Sequence, residues 1–194
     1  MILDLGSKTG RSSEDIKQAL QDHYLISTDI RRPHLSHAKD RRVLADIRKS
    51  IVKDKSVDYV TMWHVLEHMK DLEEVRTVIK RAAMAAKKML WIVGPWFDDD
   101  KYLADLGFNL YWSTWPGHKT HLTSQQLHDI LVDLRLTNNC ISGTGFTTHD
   151  SHSHRIHNIG YEAGHNYHVG KYPEKRFVKF DRSVWDLLDC KVYV

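Results

Sequence analysis

The fold is decided by residues 2–10, which read ILDLGSKTG. The apolar start predicts a short strand over residues 2–5, and Gly6 and Gly10 predict a turn into a helix capped by Ser12 or Ser13. A glycine turn after a strand lets the backbone approach a bound nucleotide closely. The turn alone does not identify the nucleotide, because it lacks both the dinucleotide pattern G-x-G-x-x-G and the P-loop motif.

Strands and helices alternate through the rest of the chain. Apolar runs and helical periodicity predict four further strands, at residues 24–29, 43–46, 57–62 and 89–95, and two further helices, at residues 72–88 and 123–134. Ser124 is the expected cap of the last helix, and two late strands are expected at residues 141–148 and 187–194. This alternation predicts an α/β protein with a doubly wound, mainly parallel sheet.

Composition limits the class of protein. A chain of 194 residues with 41% hydrophobic and 27% charged residues fits one globular domain over residues 1–194. A net charge of +3, spread along the chain, gives no reason to expect a nucleic-acid partner. Cys140 and Cys190 are too few for a disulfide framework. No apolar stretch is long enough for export or for a membrane helix, so we expect a cytoplasmic protein without a membrane partner.

Carboxylates lie near the ends of three predicted strands, at Asp4, Asp29 and Asp46. In an open parallel sheet, ligands bind beyond the carboxyl ends of the strands, where the strand order reverses. Asp29 follows the glycine turn by about 20 residues, the usual separation between such a turn and a ribose-binding acid. We therefore expect Asp29 to accept hydrogen bonds from both hydroxyls of a ribose.

Several stretches of the chain resemble the class I S-adenosylmethionine-dependent methyltransferases. Residues 4–10, DLGSKTG, are similar to the family's Asp/Glu-x-Gly-x-Gly-x-Gly turn, with Lys8 in place of the central glycine. Residues 57–68, VDYVTMWHVLEH, resemble the fourth-strand signature that ends in Val-Leu-Glu-His, and this similarity is the most specific. Residues 117–127, GHKTHLTSQQL, resemble the stretch before the last large helix of small-molecule members.

The resemblance implies a Rossmann-like, seven-stranded sheet whose last strands are antiparallel, with S-adenosylmethionine as the cofactor. It also implies in-line methyl transfer to an oxygen or nitrogen atom of a small-molecule acceptor. Asp29 would bind the ribose with Ile30 beside the adenine, and Asp46 would meet the adenine amino group. The cofactor-binding residues that the resemblance implies are Asp4, Gly6, Ser7, Gly10, Asp29, Ile30, Asp46, Ile47, Met62 and Trp63.

Histidines supply the candidates for chemistry on the acceptor. His64 follows the fourth strand, where it would act as a base or orient the acceptor, and the resemblance places His118 near the acceptor, so we predict both as catalytic residues. His68 is expected to make a structural hydrogen bond. Trp112 and Trp115 are expected either to line the acceptor pocket with His118 or to pack as ordinary aromatic residues against the end of the sheet.

No metal site is predicted. His64 and His68 have helical spacing, but Glu67 is misplaced for the zinc motif His-Glu-x-x-His. The histidine-rich residues 149–157 match no zinc spacing, and such clusters are equally common on polar loops.

Two other functions stay open at this point. A binding or interaction module that keeps the fold without catalysis would account for Lys8 in the glycine turn. A nicotinamide-dependent oxidoreductase would bind NAD instead, although the glycine spacing disfavours it. The sequence does not identify the acceptor, and it leaves a homodimer open.

Overall fold

The computed structural model describes residues 1–8, 12–20, 23–31, 41–49, 52–160 and 175–194. In these residues the helices are α1 (Ser12–Ala19), α2 (Leu72–Ala85), α3 (Asp100–Asp105) and α4 (Ser124–Asp133). The strands are β1 (Ile2–Leu5), β2 (Leu25–Asp29), β3 (Arg41–Leu44), β4 (Val57–Trp63), β5 (Ala86–Pro95), β6 (Phe108–Leu110), β7 (Asn139–Asp150), β8 (Ile156–Asn158) and β9 (Lys179–Tyr193). A short 3-10 turn over Leu66–His68 follows β4. None of the described helices is both long and apolar enough to cross a membrane.

Seven strands form one sheet in the order β3-β2-β1-β4-β5-β9-β7. The first five are parallel, β9 runs antiparallel to β5, and β7 runs antiparallel to β9. The predicted Rossmann-like, mainly parallel sheet with antiparallel last strands is therefore confirmed. The strand order reverses between β1 and β4, because the chain builds outward through β2 and β3 and then returns to the other side of β1. The carboxyl ends of β1 and β4 thus border the crevice where such a sheet binds ligands.

The main core lies between the central strands and helix α2. Val75, Val78 and Ile79 recur at helical spacing and are buried on the face of α2 that packs against β4 and β5. Each of these side chains contributes roughly 1.5–3 kcal/mol by leaving water. Asp71 caps the helix, because its carboxylate accepts a hydrogen bond from the Glu74 amide at 2.9 Å. This packing supports the strands whose ends carry the candidate site.

The third strand differs from its prediction. β3 spans Arg41–Leu44, whereas the sequence predicts a strand that ends at Asp46. β3 is the edge strand of the sheet and all its residues are exposed, so no pattern of burial marks it in the sequence. Asp46 consequently lies in the loop after β3.

Several later boundaries also differ. Helix α2 ends at Ala85 rather than near residue 88, because the following residues pair with β4 as the start of β5. Strands β6 and β8 form a small separate sheet that, like α3, is not among the predicted elements. β9 begins at Lys179, well before the predicted start. Thr123 rather than Ser124 caps α4, in a capping box with Gln126.

Candidate functional site

The turn after β1 lies directly against the segment that follows β4. Gly6 has a φ of +70°, in the left-handed region that favours glycine. A Cβ atom at this position would lie 2.8 Å from Cγ2 of Val65, which is too close. Conformation and close contact therefore both require glycine at this position. The predicted cofactor turn and the segment that carries His64 are direct neighbours.

Lys8 stands where the resemblance expects the central glycine, and it adopts a left-handed conformation with a φ of +46°. This conformation costs about 1–2 kcal/mol for a residue with a Cβ atom. The Lys8 amide donates a hydrogen bond to Oδ2 of Asp29 at 3.0 Å. The Ser7 amide and hydroxyl donate to the Thr28 carbonyl at 2.8 and 3.2 Å. These bonds fasten the turn to the end of β2 and hold Lys8 in place, with its side chain exposed.

Asp29 ends β2, and only 6% of its surface is exposed. Its Oδ1 accepts a hydrogen bond from the Arg31 amide at 2.9 Å, so main-chain donors orient both oxygens. Carboxylate oxygens are acceptors of the kind that ribose hydroxyls require. Ile30 beside it is 56% exposed. The ribose contact of Asp29 and the adenine contact of Ile30 stay predictions, and Gly10 lies outside the described residues.

Asp4 lies in β1 and is fully buried. Its Oδ1 accepts a hydrogen bond from the Thr61 hydroxyl at 2.8 Å, whereas Oδ2 has no hydrogen-bond partner among the described residues. Burial raises the pKa of Asp4 to about 7, although the bond from Thr61 acts in the opposite direction. A buried carboxyl group with a strongly shifted pKa at the end of a sheet is typical of a functional site.

Four further predicted cofactor residues have side chains engaged within the protein. Asp46 accepts hydrogen bonds from Nε and Nη2 of Arg48 at 2.7 and 2.9 Å, and these bonds lower the pKa of Asp46. Ile47 packs against the core and lines a cavity of about 370 Å³ between its loop and α2. Met62 is fully buried in the core, and Trp63 packs edge-on against a tryptophan of β5. Their contacts with a cofactor stay predictions.

His64 comes directly after β4 and has a φ of +54°. Its amide donates to the Val93 carbonyl at 2.8 Å, which fixes this strained residue against β5. Nδ1 of His64 lies 3.3 Å from Oε1 of Glu67, in the 3-10 turn. The Glu67 side chain is 2% exposed and that of His64 is 36% exposed. A buried carboxylate thus lies beside an accessible imidazole.

His118 reaches the same carboxylate from the loop before α4. Its Nε2 lies 4.0 Å from Oε1 of Glu67, and its Nδ1 lies 2.9 Å from the Trp112 carbonyl. Burial lowers the pKa of His118, although the charge of Glu67 opposes this effect. The His118 ring stacks on Trp115 at 5.7 Å, and the Trp112 ring lies 5.2 Å from that of His64. The structure thus brings together the two predicted catalytic histidines and both tryptophans.

Glu67 is a site residue that the sequence prediction misses. Its signal is present, because Glu67 belongs to the Val-Leu-Glu-His stretch, but the sequence alone assigns roles only to the neighbouring histidines. The contact with His118 could not be inferred from spacing, since the two residues come from separate loops.

The residues at this edge of the sheet suit a cationic nucleoside. Asp4 and Asp29 are buried carboxyl groups close to the glycine turn, and one oxygen of Asp4 lacks a partner in the described part of the chain. S-adenosylmethionine has a sulfonium, an ammonium group and a ribose, and it has no phosphate. Carboxylates at the ends of β1 and β2 therefore fit this cofactor better than a phosphate-bearing one.

Comparison with protein families gives one match on the segment that holds these residues. A family model described as a methyltransferase domain matches residues 3–86, which run from β1 to the first residue of β5. The match includes the glycine turn, Asp29 and Glu67. Comparison with curated protein sequences gives no match.

Solved structures share the fold at low sequence identity. A SAM-dependent methyltransferase from Archaeoglobus fulgidus is 18% identical, with a TM-score of 0.67 over 100% of this chain and 85% of that chain. A SAM-dependent methyltransferase from Methanosarcina mazei is 15% identical, with a TM-score of 0.57 over 98% of this chain and 91% of that chain. Magnesium protoporphyrin IX methyltransferase from Synechocystis PCC 6803 with bound SAH is 16% identical, with a TM-score of 0.54 over 99% and 73%.

Proposed function

We propose that this chain, which belongs to the class I S-adenosylmethionine-dependent methyltransferases, methylates an oxygen or nitrogen atom of a small molecule. Bound S-adenosylmethionine supplies the methyl group, which moves in line to the acceptor while the bonding electron pair stays on sulfur. The observation that carries the proposal is the pair of His64 and the buried Glu67 beside the glycine turn. Such a pair can take the proton that a hydroxyl group loses when it is methylated, or the proton that an ammonium group must lose before its nitrogen can attack the methyl group.

Asp29, Asp4 and Gly6 are the residues that we expect to hold the cofactor. The amides of Lys8 and Arg31 orient the Asp29 carboxylate, which would accept hydrogen bonds from the ribose hydroxyls. Ionised Asp4 would favour a cationic ligand, since its Oδ2 has no hydrogen-bond partner in the described ranges. Gly6 lets the turn lie close to Val65. The proposed cofactor-binding turn is therefore next to the segment that carries His64.

His64 is the proposed base, and Glu67 positions it. Oε1 of Glu67 lies 3.3 Å from Nδ1 without a hydrogen bond, so its charge would favour the tautomer with the hydrogen on Nδ1 and leave Nε2 to take the acceptor proton. The left-handed backbone of His64 supports this role, because such strain is concentrated at functional sites.

Aromatic residues would form the walls of the acceptor site. Trp112 lies beside His64, and Trp115 stacks on His118. Nε1 of Trp112 is buried and has no hydrogen-bond partner in the part of the chain that the structure describes. Flat apolar walls with a few polar groups between them are typical of sites for small molecules.

The proposal is tested by methyl transfer from S-adenosylmethionine to a panel of small hydroxy and amino compounds, with S-adenosylhomocysteine as the measured product. The variant His64→Gln should lower kcat by about 10²–10⁴-fold, the range for loss of a general base. Its affinity for S-adenosylhomocysteine, measured by calorimetry, should not change. His128→Asn, at an exposed position of α4, is the matched control and should leave both quantities unchanged. Full activity of His64→Gln, or turnover of thiol acceptors alone, would contradict the proposal.

We expect the protein to act in the cytoplasm. This expectation is supported by Cys140 and Cys190, which are both free thiols, as is usual in a reducing compartment. Burial raises the pKa of Cys190 to about 12, so this thiol stays protonated and unreactive.

A further inference from the structure

Three potential metal ligands converge at the end of β4. They belong to Glu67, His68 and His118, and one ligand atom from each lies within 4.8 Å of the other two. Glu67 and His68 come from the 3-10 turn after β4, and His118 comes from the loop before α4. Among the described residues this is the one group of three such side chains, and the histidine-rich residues 149–157 do not form another.

Both imidazoles are oriented as metal-binding histidines are. Nδ1 of His68 lies 2.8 Å from the Gly117 carbonyl, and Nδ1 of His118 lies 2.9 Å from the Trp112 carbonyl. A carbonyl can only accept, so in each neutral ring Nδ1 carries the hydrogen and Nε2 carries the lone pair. Metal-binding histidines are commonly held in this way, by a main-chain carbonyl or carboxylate on the second nitrogen.

Glu67 supplies the anionic ligand. Its side chain is 2% exposed, and its Oε1 has no hydrogen-bond partner within the described ranges. Nδ1 of His64 lies 3.3 Å from this oxygen, outside hydrogen-bond geometry, and Nε2 of His118 lies 4.0 Å from it. Burial of a carboxylate oxygen without a hydrogen-bond partner is unfavourable. A divalent cation between this oxygen and the two Nε2 atoms would offset that penalty.

Main-chain hydrogen bonds hold the two segments together without a metal ion. The amides of Lys119 and Thr120 donate to the Glu67 carbonyl at 2.8 and 3.1 Å. The Thr120 hydroxyl donates to the Met69 carbonyl at 2.8 Å. These hydrogen bonds hold the loop of His118 against the 3-10 turn. The three ligand side chains are therefore close together before a metal ion binds.

We infer that Glu67, His68 and His118 bind a divalent metal ion, for which zinc is the best match. Two imidazole nitrogens and one carboxylate oxygen, with one position left open, are the ligand set of many catalytic zinc sites. Bonds of about 2.0–2.1 Å separate tetrahedral ligand atoms by roughly 3.4 Å, so the side chains need to move together by about 1 Å. Magnesium and calcium are poorer matches, because they prefer oxygen ligands.

The open position gives the metal ion a role in the proposed methyl transfer. His64 lies beside Glu67, and Trp112 lies beside His64, so an acceptor in this region would meet the ion. Zinc bound by these residues would make a hydroxyl group that contacts it lose its proton more readily, and His64 would accept that proton. This role rests on the proposed function, whereas metal binding by the three residues does not.

The test is calorimetric titration of zinc into the untagged full chain after treatment with a chelator. Wild-type protein should bind one zinc ion strongly. Glu67→Gln and His68→Asn should each weaken this binding by at least about 100-fold, since loss of a mere supporting partner already costs about 10–100-fold. The matched control is the double variant His152→Asn/His154→Asn, in the histidine-rich segment, which should keep the strong site. Cobalt should give the visible absorption of a four-coordinate ion in wild type and control only.

Unchanged zinc affinity in His68→Asn, or loss of the strong site in the double control variant, would overturn the inference. His68 is exposed, so its substitution keeps the test valid even where Glu67→Gln fails to fold. Binding of S-adenosylhomocysteine, measured on the same samples, separates this inference from the proposed function. Variants that lose zinc binding should still bind S-adenosylhomocysteine. If the wild-type protein binds zinc but not S-adenosylhomocysteine, the proposed function is refuted and the inference of a metal site stands.

Discussion

Replacement of Asp4 by asparagine should make the folded protein more stable at neutral pH. Burial raises the pKa of Asp4 from 3.8 to about 7. Between these two values the folded state holds a proton that the unfolded chain has released, so stability falls as the pH rises through this interval. A pKa difference of this size corresponds to roughly 4 kcal/mol of stability that is lost above about pH 7. Asparagine cannot ionise, and it can still accept the hydrogen bond from Thr61.

The assay is urea unfolding of both proteins, followed by tryptophan fluorescence over a series of pH values. The stability difference in favour of Asp4→Asn should be below about 1 kcal/mol at pH 4 and should rise to roughly 4 kcal/mol at pH 8. Asp105→Asn, in an exposed ion pair with Lys101 on α3, is the control and should follow the wild-type pH dependence. Parallel curves for wild type and Asp4→Asn would refute the reasoning, because they would show that Asp4 is not destabilised by its burial.

Further predictions concern the glycine turn. Lys8→Gly should raise the free energy of unfolding by up to about 1 kcal/mol in urea, because glycine relieves the left-handed strain; a loss of stability would contradict the geometry. Gly6→Ala should lower it by about 1–3 kcal/mol, since the new methyl group meets Val65 and the positive φ is strained. Val65→Ala should restore part of this loss in the double variant, and simple additivity of the two changes would count against the contact.

The elements that the sequence predicts well are those with a strong pattern of burial. β1, β4 and β5 are central strands with apolar runs, and α2 carries an apolar stripe. β3 is misplaced because an exposed edge strand has no such pattern. β6 and β8 are missed because each has three residues, and their pairing joins segments that are far apart in the chain.

The same distinction applies to the candidate site. Gly6, Asp29 and His64 lie at the ends of strands or directly after them, in local motifs that can be recognised from the sequence alone. The convergence of Glu67 and His118 depends instead on the loop before α4 folding back onto the 3-10 turn, which no local spacing encodes. The sequence therefore predicts the histidines individually and misses the carboxylate that connects them.

The most direct test of a cofactor site at the ends of β1 and β2 is calorimetric titration of S-adenosylhomocysteine into wild-type protein and into Asp29→Ala. Wild-type protein should bind one molecule per chain. Asp29→Ala should bind about 10–100-fold more weakly, because hydrogen bonds to a charged group contribute roughly 1.5–3 kcal/mol. Equal affinity of the two proteins, or no binding to wild type, would contradict the account.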